Sequence, residues 1–141
     1  MHVDRKRIRV IRYQKEHYEE IKDFYTGHGW KQSPREIALP DMGFIVEDED
    51  GLKLAVGFVY TSNSIINWLE WTATNPKAPL RIRHSALKLL VKTVQGVVKL
   101  RDPNGEILQA TPVPAIIRFY LKLGFQVTEN ATLLHWGPGE I

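Results

Sequence analysis

The sequence predicts an α/β (α+β) fold, and three stretches carry that expectation. Residues 7–13 alternate as a strand does, and residues 43–60 read as two strands around an acidic turn that ends in glycine. A further strand then leads into a long apolar stripe at helical spacing, marked by Ile82, Ala86, Leu89, Leu90, Val94, Val97 and Val98. Strands that give way to amphipathic helices in this manner imply a sheet with helices packed on it.

At 141 residues the chain lies in the single-domain range, and it is read as one domain, residues 1–141. A globule of about 150 residues buries roughly 70% of its unfolded surface, so it needs no covalent staple. There is no cysteine, which excludes disulfides, thiolate metal sites and a cysteine nucleophile and suits a reducing compartment. His2, His17, His28 and His135 show no metal-ligand spacing, so no metal is expected. The N-terminal Met1-His-Val-Asp-Arg-Lys-Arg has no apolar run behind its charges, and no segment approaches a membrane span, so the expected location is cytoplasmic, away from membranes. A net charge of +3 is too mild to argue for nucleic acid. The charge is unevenly spread: Lys77, Arg81, Arg83, His84, Lys88, Lys92, Lys99 and Arg101 surround the long helix, whereas Glu47, Asp48, Glu49 and Asp50 form an acidic hairpin tip. A basic helix entrance suits a phosphorylated ligand, and a solvated helix face is the plainer meaning of the same charges.

The elements follow in order. After the first strand, Tyr18, Ile21, Phe24 and Tyr25 take helical spacing, with Gly27 and Gly29 as stops. Ser33-Pro34 opens a second short helix that Pro40 closes. Residues 43–47 and 52–60 form the hairpin, where Gly57 signals a bulge or a close backbone approach. In the strand at 64–74, simple alternation puts Ile66, Trp68, Glu70, Thr72 and Thr74 on one face and Leu69, Trp71 and Ala73 on the other. The loop at 75–79 and the long helix come next, then a turn cluster at 101–105 and a short strand at 106–111. In the last helix Pro114 suits the first position, Ile116, Phe119, Tyr120 and Leu123 form the apolar stripe, and Gly124 supplies the stop. Residues 125–128 and 133–136 are expected to pair as a final hairpin.

The block from Ala115 to Phe125, Ala-Ile-Ile-Arg-Phe-Tyr-Leu-Lys-Leu-Gly-Phe, resembles the A-x-x-x-[FL]-Y-x-K-L-G-F block of the GNAT family of N-acetyltransferases. The order of elements from residue 7 to 136 is similar to that family as well. The resemblance implies a mixed, mostly antiparallel central sheet flanked by helices, acetyl-CoA as co-substrate and a small-molecule or peptide amine as acceptor. A homodimer is compatible with it. It also implies roles for particular residues. Tyr120 corresponds to a tyrosine that protonates the departing thiolate, and a tyrosine that only packs is the alternative. Glu70 lies where several members place a carboxylate base. Neighbouring tryptophans would raise its pKa by desolvation, and a carboxylate on a solvated face or in an ion pair is the alternative.

Thr72 and Thr74 correspond to main-chain contacts of the pantetheine arm. The family's pyrophosphate loop uses glycines so that backbone N–H groups can approach the phosphates at a helix N-terminus. Here Pro79, Leu80, Ile82 and His84 stand where Arg, Gly, Gly and Gly are common, so no loop glycine is kept. Arg81, Ile82, Arg83, His84 and Ser85 are the candidate cofactor-binding positions, with Arg81 and Arg83 supplying side-chain charge in place of backbone dipoles. The same departure fits a GNAT-like binding protein without catalysis, which would recognise a protein or an acidic ligand through its basic face.

Overall fold

The computed structural model describes residues 6–29, 33–111, 113–128 and 137–138. The chain divides into two compact units, Met1–Ala110 and Thr111–Ile141. The first unit holds a sheet of five strands that lie side by side in chain order: β1 (Ile8–Arg12), β2 (Gly43–Asp48), β3 (Lys53–Tyr60), β4 (Ile66–Thr74) and β5 (Glu106–Leu108). The pairings from β1 to β4 are antiparallel, and β4 pairs with β5 in parallel. A parallel pair needs a crossover, and helix α2 (Leu80–Arg101) supplies it.

Within the first unit, two helices cover opposite faces of the sheet. Helix α1 (Tyr18–Gly27) covers the face of Tyr13, Ile45, Val56, Phe58 and Ala73 with its buried Ile21, Phe24 and Tyr25. On the opposite face α2 buries Ala86, Leu90, Val94 and Val98, a four-residue repeat that keeps one stripe against the strands. Gly57 marks that side: a Cβ there would lie 3.1 Å from Leu90 Cδ2.

The β2–β3 hairpin is not merely an acidic tip. Every residue of β2 is buried, Glu47 and Asp48 included. Glu47 accepts from Arg9 Nε at 2.8 Å and pairs with Lys53 Nζ at 2.9 Å. Asp48 Oδ1 accepts the N–H groups of Asp50 and Leu52, which closes the turn, and Gly51 takes the positive φ of 86° that the turn requires.

Three local expectations are corrected. The segment from Ser33 forms a single 3-10 turn, Glu36–Ala38, with Arg35 and not Ser33 at its N-cap. Leu39 is already extended there, because the residue before a proline is pushed out of the helical region. The strand expected at 106–111 pairs only over Glu106–Leu108. Residues 125–128 are irregular, with Val127 63% exposed, and their expected partner at 133–136 lies outside the described residues.

In the second unit, helix α3 (Pro114–Lys122) begins with Pro at its first turn, as expected. Its end is a Schellman motif: Gly124 N–H bonds to Leu121 O at 3.1 Å, Phe125 N–H to Tyr120 O at 3.1 Å, and Gly124 has φ 93°. The rings of Phe125 and Tyr120 close it edge to face, 5.0 Å apart.

Candidate active site on strand β4

Strand β4 departs from simple alternation at Trp71, whose φ is +54°. The β3–β4 register passes from Phe58↔Glu70 to Val56↔Ala73, so Trp71 and Thr72 together oppose Gly57. This is a β-bulge, and it exchanges the faces of every residue beyond it. Glu70 therefore remains on the α1 face, opposite Phe58, and Ala73 joins the core beneath α1. Thr72, expected beside Glu70, turns to the α2 face, where its Oγ1 lies 3.5 Å from a Cβ position at Gly57. That hydroxyl oxygen is buried and has no hydrogen-bond partner. Gly57 thus answers both halves of its sequence signal: the bulge lies opposite it, and α2 approaches closely over it.

Pairing between β4 and β5 covers only Ile66–Trp68 against Glu106–Leu108. Among the described residues no strand pairs with β4 on that side past Trp68. Two carbonyls of its bulged half are held from α1 and the residue after it: the Tyr25 hydroxyl donates to Trp71 O at 2.5 Å, and His28 Nε2 lies 2.7 Å from Thr74 O. These contacts leave the candidate Thr74 with its carbonyl already engaged. Neither Tyr25 nor His28 was a sequence candidate. Tyr25 carries the signature of a core residue, and His28 lies beyond the helical pattern.

Glu70 is half-buried, and among the described residues no cation or hydrogen-bond donor meets its carboxylate. Burial raises its pKa above the ordinary carboxylate value. Its cross-strand neighbour is Phe58, which is fully buried, while Trp68 is 41% exposed. Tyr60 lies close enough to feel the Glu70 charge. Burial raises the Tyr60 pKa, a hydrogen bond from the Trp71 side chain opposes that, and Glu70 adds to it. The Tyr60 hydroxyl donates to Ala38 O at 2.9 Å, which ties the 3-10 turn to the Glu70 side of the sheet. A carboxylate whose pKa is raised in this way is a stronger base than an ordinary one.

The loop after β4 is held by Asn75, which is buried. Its Nδ2 donates to Lys53 O at 2.9 Å, and its Oδ1 accepts from Lys77 N at 3.0 Å. Pro76 rests against Gly27, where a Cβ would come within 2.5 Å of Pro76 Cγ. Helix α2 then starts from Pro79, with no side-chain cap and no acidic residue in its first turn. The first N–H groups of a helix have no intrahelical acceptor and carry the positive end of its dipole. Arg81, His84 and Ser85 are exposed around this start, while Ile82 and Arg83 are partly buried. Arg83 Nε is enclosed and has no hydrogen-bond partner.

In the second unit Tyr120 is 5% exposed, with its ring edge-on to Phe119 and Phe125. Both sequence readings of this residue are compatible with those contacts. Among the described residues no group of three His, Cys, Asp or Glu side chains could hold a metal, and no helix is long and apolar enough to cross a membrane.

The sequence matches no protein-family model and no curated protein. Solved structures do resemble it. The ribosomal-protein alanine N-acetyltransferase of Escherichia coli superimposes with a TM-score of 0.72 at 12% identity, over 87% of this chain and 80% of that one. A GNAT-family acetyltransferase of Streptococcus pneumoniae gives 0.67 at 16% identity, over 96% and 100%. A Mycobacterium tuberculosis protein solved in complex with CoA gives 0.70 at 17% identity, over 89% and 76%. At such identities the likeness is one of architecture, and the chain has the fold of the GNAT acetyltransferases.

Proposed function

We propose that this protein is an acyl-CoA-dependent N-acetyltransferase that moves an acetyl group from acetyl-CoA to an amine by direct attack. The observation that carries the reading is Glu70: a half-buried carboxylate that no cation meets among the described residues, raised in pKa, next to the bulged half of β4. The amine must lose a proton to become a nucleophile, and Glu70 takes it. The amine nitrogen then bonds to the thioester carbonyl carbon, the C–S bond breaks, and the thiolate receives a proton, the role proposed for Tyr120.

The phosphates of acetyl-CoA are assigned to the start of α2. Arg81 and Arg83, with His84 and Ser85 beside them, join the free N–H groups of the first turn around Ile82. The backbone of Thr72 is assigned to the pantetheine arm. Thr74 serves there only through its N–H or if His28 releases its carbonyl.

A second reading rests on one specific observation, that Pro79 occupies the turn and no glycine stands between Gly57 and Gly96. On that reading the fold is a catalytically silent binding protein that presents its basic helix to a protein or acidic ligand. Thermal unfolding with acetyl-CoA separates the two, since a ligand at about 100 times its dissociation constant adds roughly 2.7 kcal/mol. The enzyme reading expects a rise in Tm, and thiol release in the presence of an amine panel. No rise at millimolar acetyl-CoA favours the silent protein. Replacing both Arg81 and Arg83 by Ala should weaken CoA binding far more than replacing Lys92 and Lys99, because charge-assisted contacts are worth roughly 1.5–3 kcal/mol each. Equal effects from the two pairs would mean general electrostatics only.

A further inference from the structure

Trp71 stands at φ +54°, a genuine outlier for a bulky side chain. Such a residue persists only where its surroundings over-determine it, and here α1 supplies them. Tyr25, fully buried near the C-terminal end of that helix, donates its hydroxyl to Trp71 O at 2.5 Å. The two rings also meet edge to face, with centroids 5.9 Å apart and planes at 90°. Trp71 packs against the core beneath α1, although Leu69, two residues earlier, lies on the α2 side, near a Cβ position at Gly57. Burial raises the Tyr25 pKa, so the hydroxyl keeps its proton and remains a donor.

The peptide between Trp71 and Thr72 is trans and planar, so its C=O and N–H point in opposite directions. Fixing the Trp71 carbonyl therefore fixes the Thr72 N–H, which is directed away from Tyr25. We infer that Tyr25 is a positioning residue for the site on β4: its hydroxyl locks the Trp71–Thr72 peptide of the bulge and so sets the direction in which Thr72 presents its N–H to a ligand. Loss of that bond leaves a carbonyl without its donor in the core, which is costly. It also releases Trp71 toward the extended conformation, which turns the peptide and redirects the Thr72 N–H. The consequence for binding rests on the proposed use of acetyl-CoA, in which the backbone of Thr72 meets the pantetheine arm. The lock on the bulge does not depend on that reading.

The test compares Tyr25→Phe with wild type in the full chain. A residue with positive φ gives a strong NOE between its own amide proton and Hα. The wild type should show this signal at Trp71, and Tyr25→Phe should weaken it. Acetyl-CoA binding, followed by calorimetry, should weaken about fivefold to tenfold in Tyr25→Phe. Binding of 3′-phospho-ADP, which carries the CoA phosphates without the pantetheine arm, should not change. A tyrosine that only supports the fold would weaken both ligands together. Tyr18→Phe is the control, because Tyr18 on the same helix donates to Pro34 O at 2.7 Å and not to β4; it should alter neither readout. No NOE in the wild type, an undiminished NOE in Tyr25→Phe, equal weakening of the two ligands, or the same losses in Tyr18→Phe would overturn the inference. Failure of the wild type to bind acetyl-CoA would overturn the acetyltransferase reading instead, and the NOE would still decide whether Tyr25 locks the bulge.

Discussion

Glu47 and Glu70 are two acidic residues of one sheet that have opposite fates. Glu47 on β2 has Lys53 opposite it across the strand pair and Arg9 alongside, and these cations hold its pKa below the ordinary value although its side chain is only 6% exposed. Glu70 on β4 has Phe58 opposite it and no cation among the described residues, and burial holds its pKa above the ordinary value. The residue across the ladder differs with them, a lysine facing Glu47 and a phenylalanine facing Glu70. A cation turns a carboxylate into part of the structure, and an aromatic ring leaves its charge uncompensated. Depth of burial alone would have ranked them the other way for reactivity, since Glu47 is the more enclosed.

The comparison breaks most visibly through activity. If Glu70 is the base, Glu70→Gln should lower turnover by roughly one hundred to ten thousand fold. Part of the loss should return as pH rises toward the acceptor's own pKa, because free amine then forms unaided. A loss that does not vary with pH would make Glu70 a positioning charge and not a base. Tyr120→Phe should show a fall within the same range, with acetyl-CoA affinity unchanged. A lower Tm with unchanged turnover would instead identify Tyr120 as a packing residue.

The structural partner should behave in the opposite way. Glu47→Gln leaves the enclosed Lys53 with only the more distant Glu20, at 4.0 Å, as counter-charge and should destabilise the fold by about 1–3 kcal/mol in urea denaturation, with no direct effect on chemistry. Because the folded-state pKa of Glu47 lies below its reference of 4.5, its contribution is fully present above pH 4.5 and is lost as pH falls through the depressed value. The difference between wild type and Glu47→Gln should therefore shrink in acid.

Gly43 links the two cases, since Phe58 lies directly over it. A Cβ at Gly43 would stand 2.6 Å from Phe58 Cε1 and 2.9 Å from Tyr13 Cβ. Gly43→Ala should cost about 1–3 kcal/mol. It should also displace the ring opposite Glu70, so that the Glu70 pKa, followed by NMR titration, moves down toward its ordinary value. An unmoved pKa would show that the Phe58 ring is not what desolvates this carboxylate.

The smallest expected effect is on stability at the site itself. A raised pKa means that the folded chain holds the Glu70 proton more tightly than the unfolded chain does. Stability is then greatest below the reference pKa of 4.5 and declines as pH rises through the raised value. Glu70→Gln should accordingly be slightly more stable than wild type at pH 7, by less than about 1 kcal/mol, and the gain should vanish in acid. A Glu70→Gln variant less stable than wild type at pH 7 would mean that the carboxylate has a structural partner after all.

Periodicity and turn chemistry sufficed for much of the molecule. The strands at the start, the hairpin, the long helix and the last helix with its Pro114 start and Gly124 stop follow from local preferences, and local preferences are written residue by residue. The fold class was legible for the same reason. What the sequence could not determine is how residues far apart meet. The β4 bulge arises where Trp71 and Thr72 together face Gly57, so the alternation that seemed to put Glu70 and Thr72 on one face fails at a point set by pairing with another strand. Tyr25 and His28 reach β4 carbonyls 46 residues along the chain. Glu47 reads in the sequence as one charge of an acidic hairpin tip, and the register brings Lys53 and Arg9 to it. By itself the sequence determined which elements form and that Glu70 is an acid on a central strand; only the tertiary structure decided that Glu70 has no cation opposite it while Glu47 has two, because electrostatic environment depends on distance in space and not along the chain.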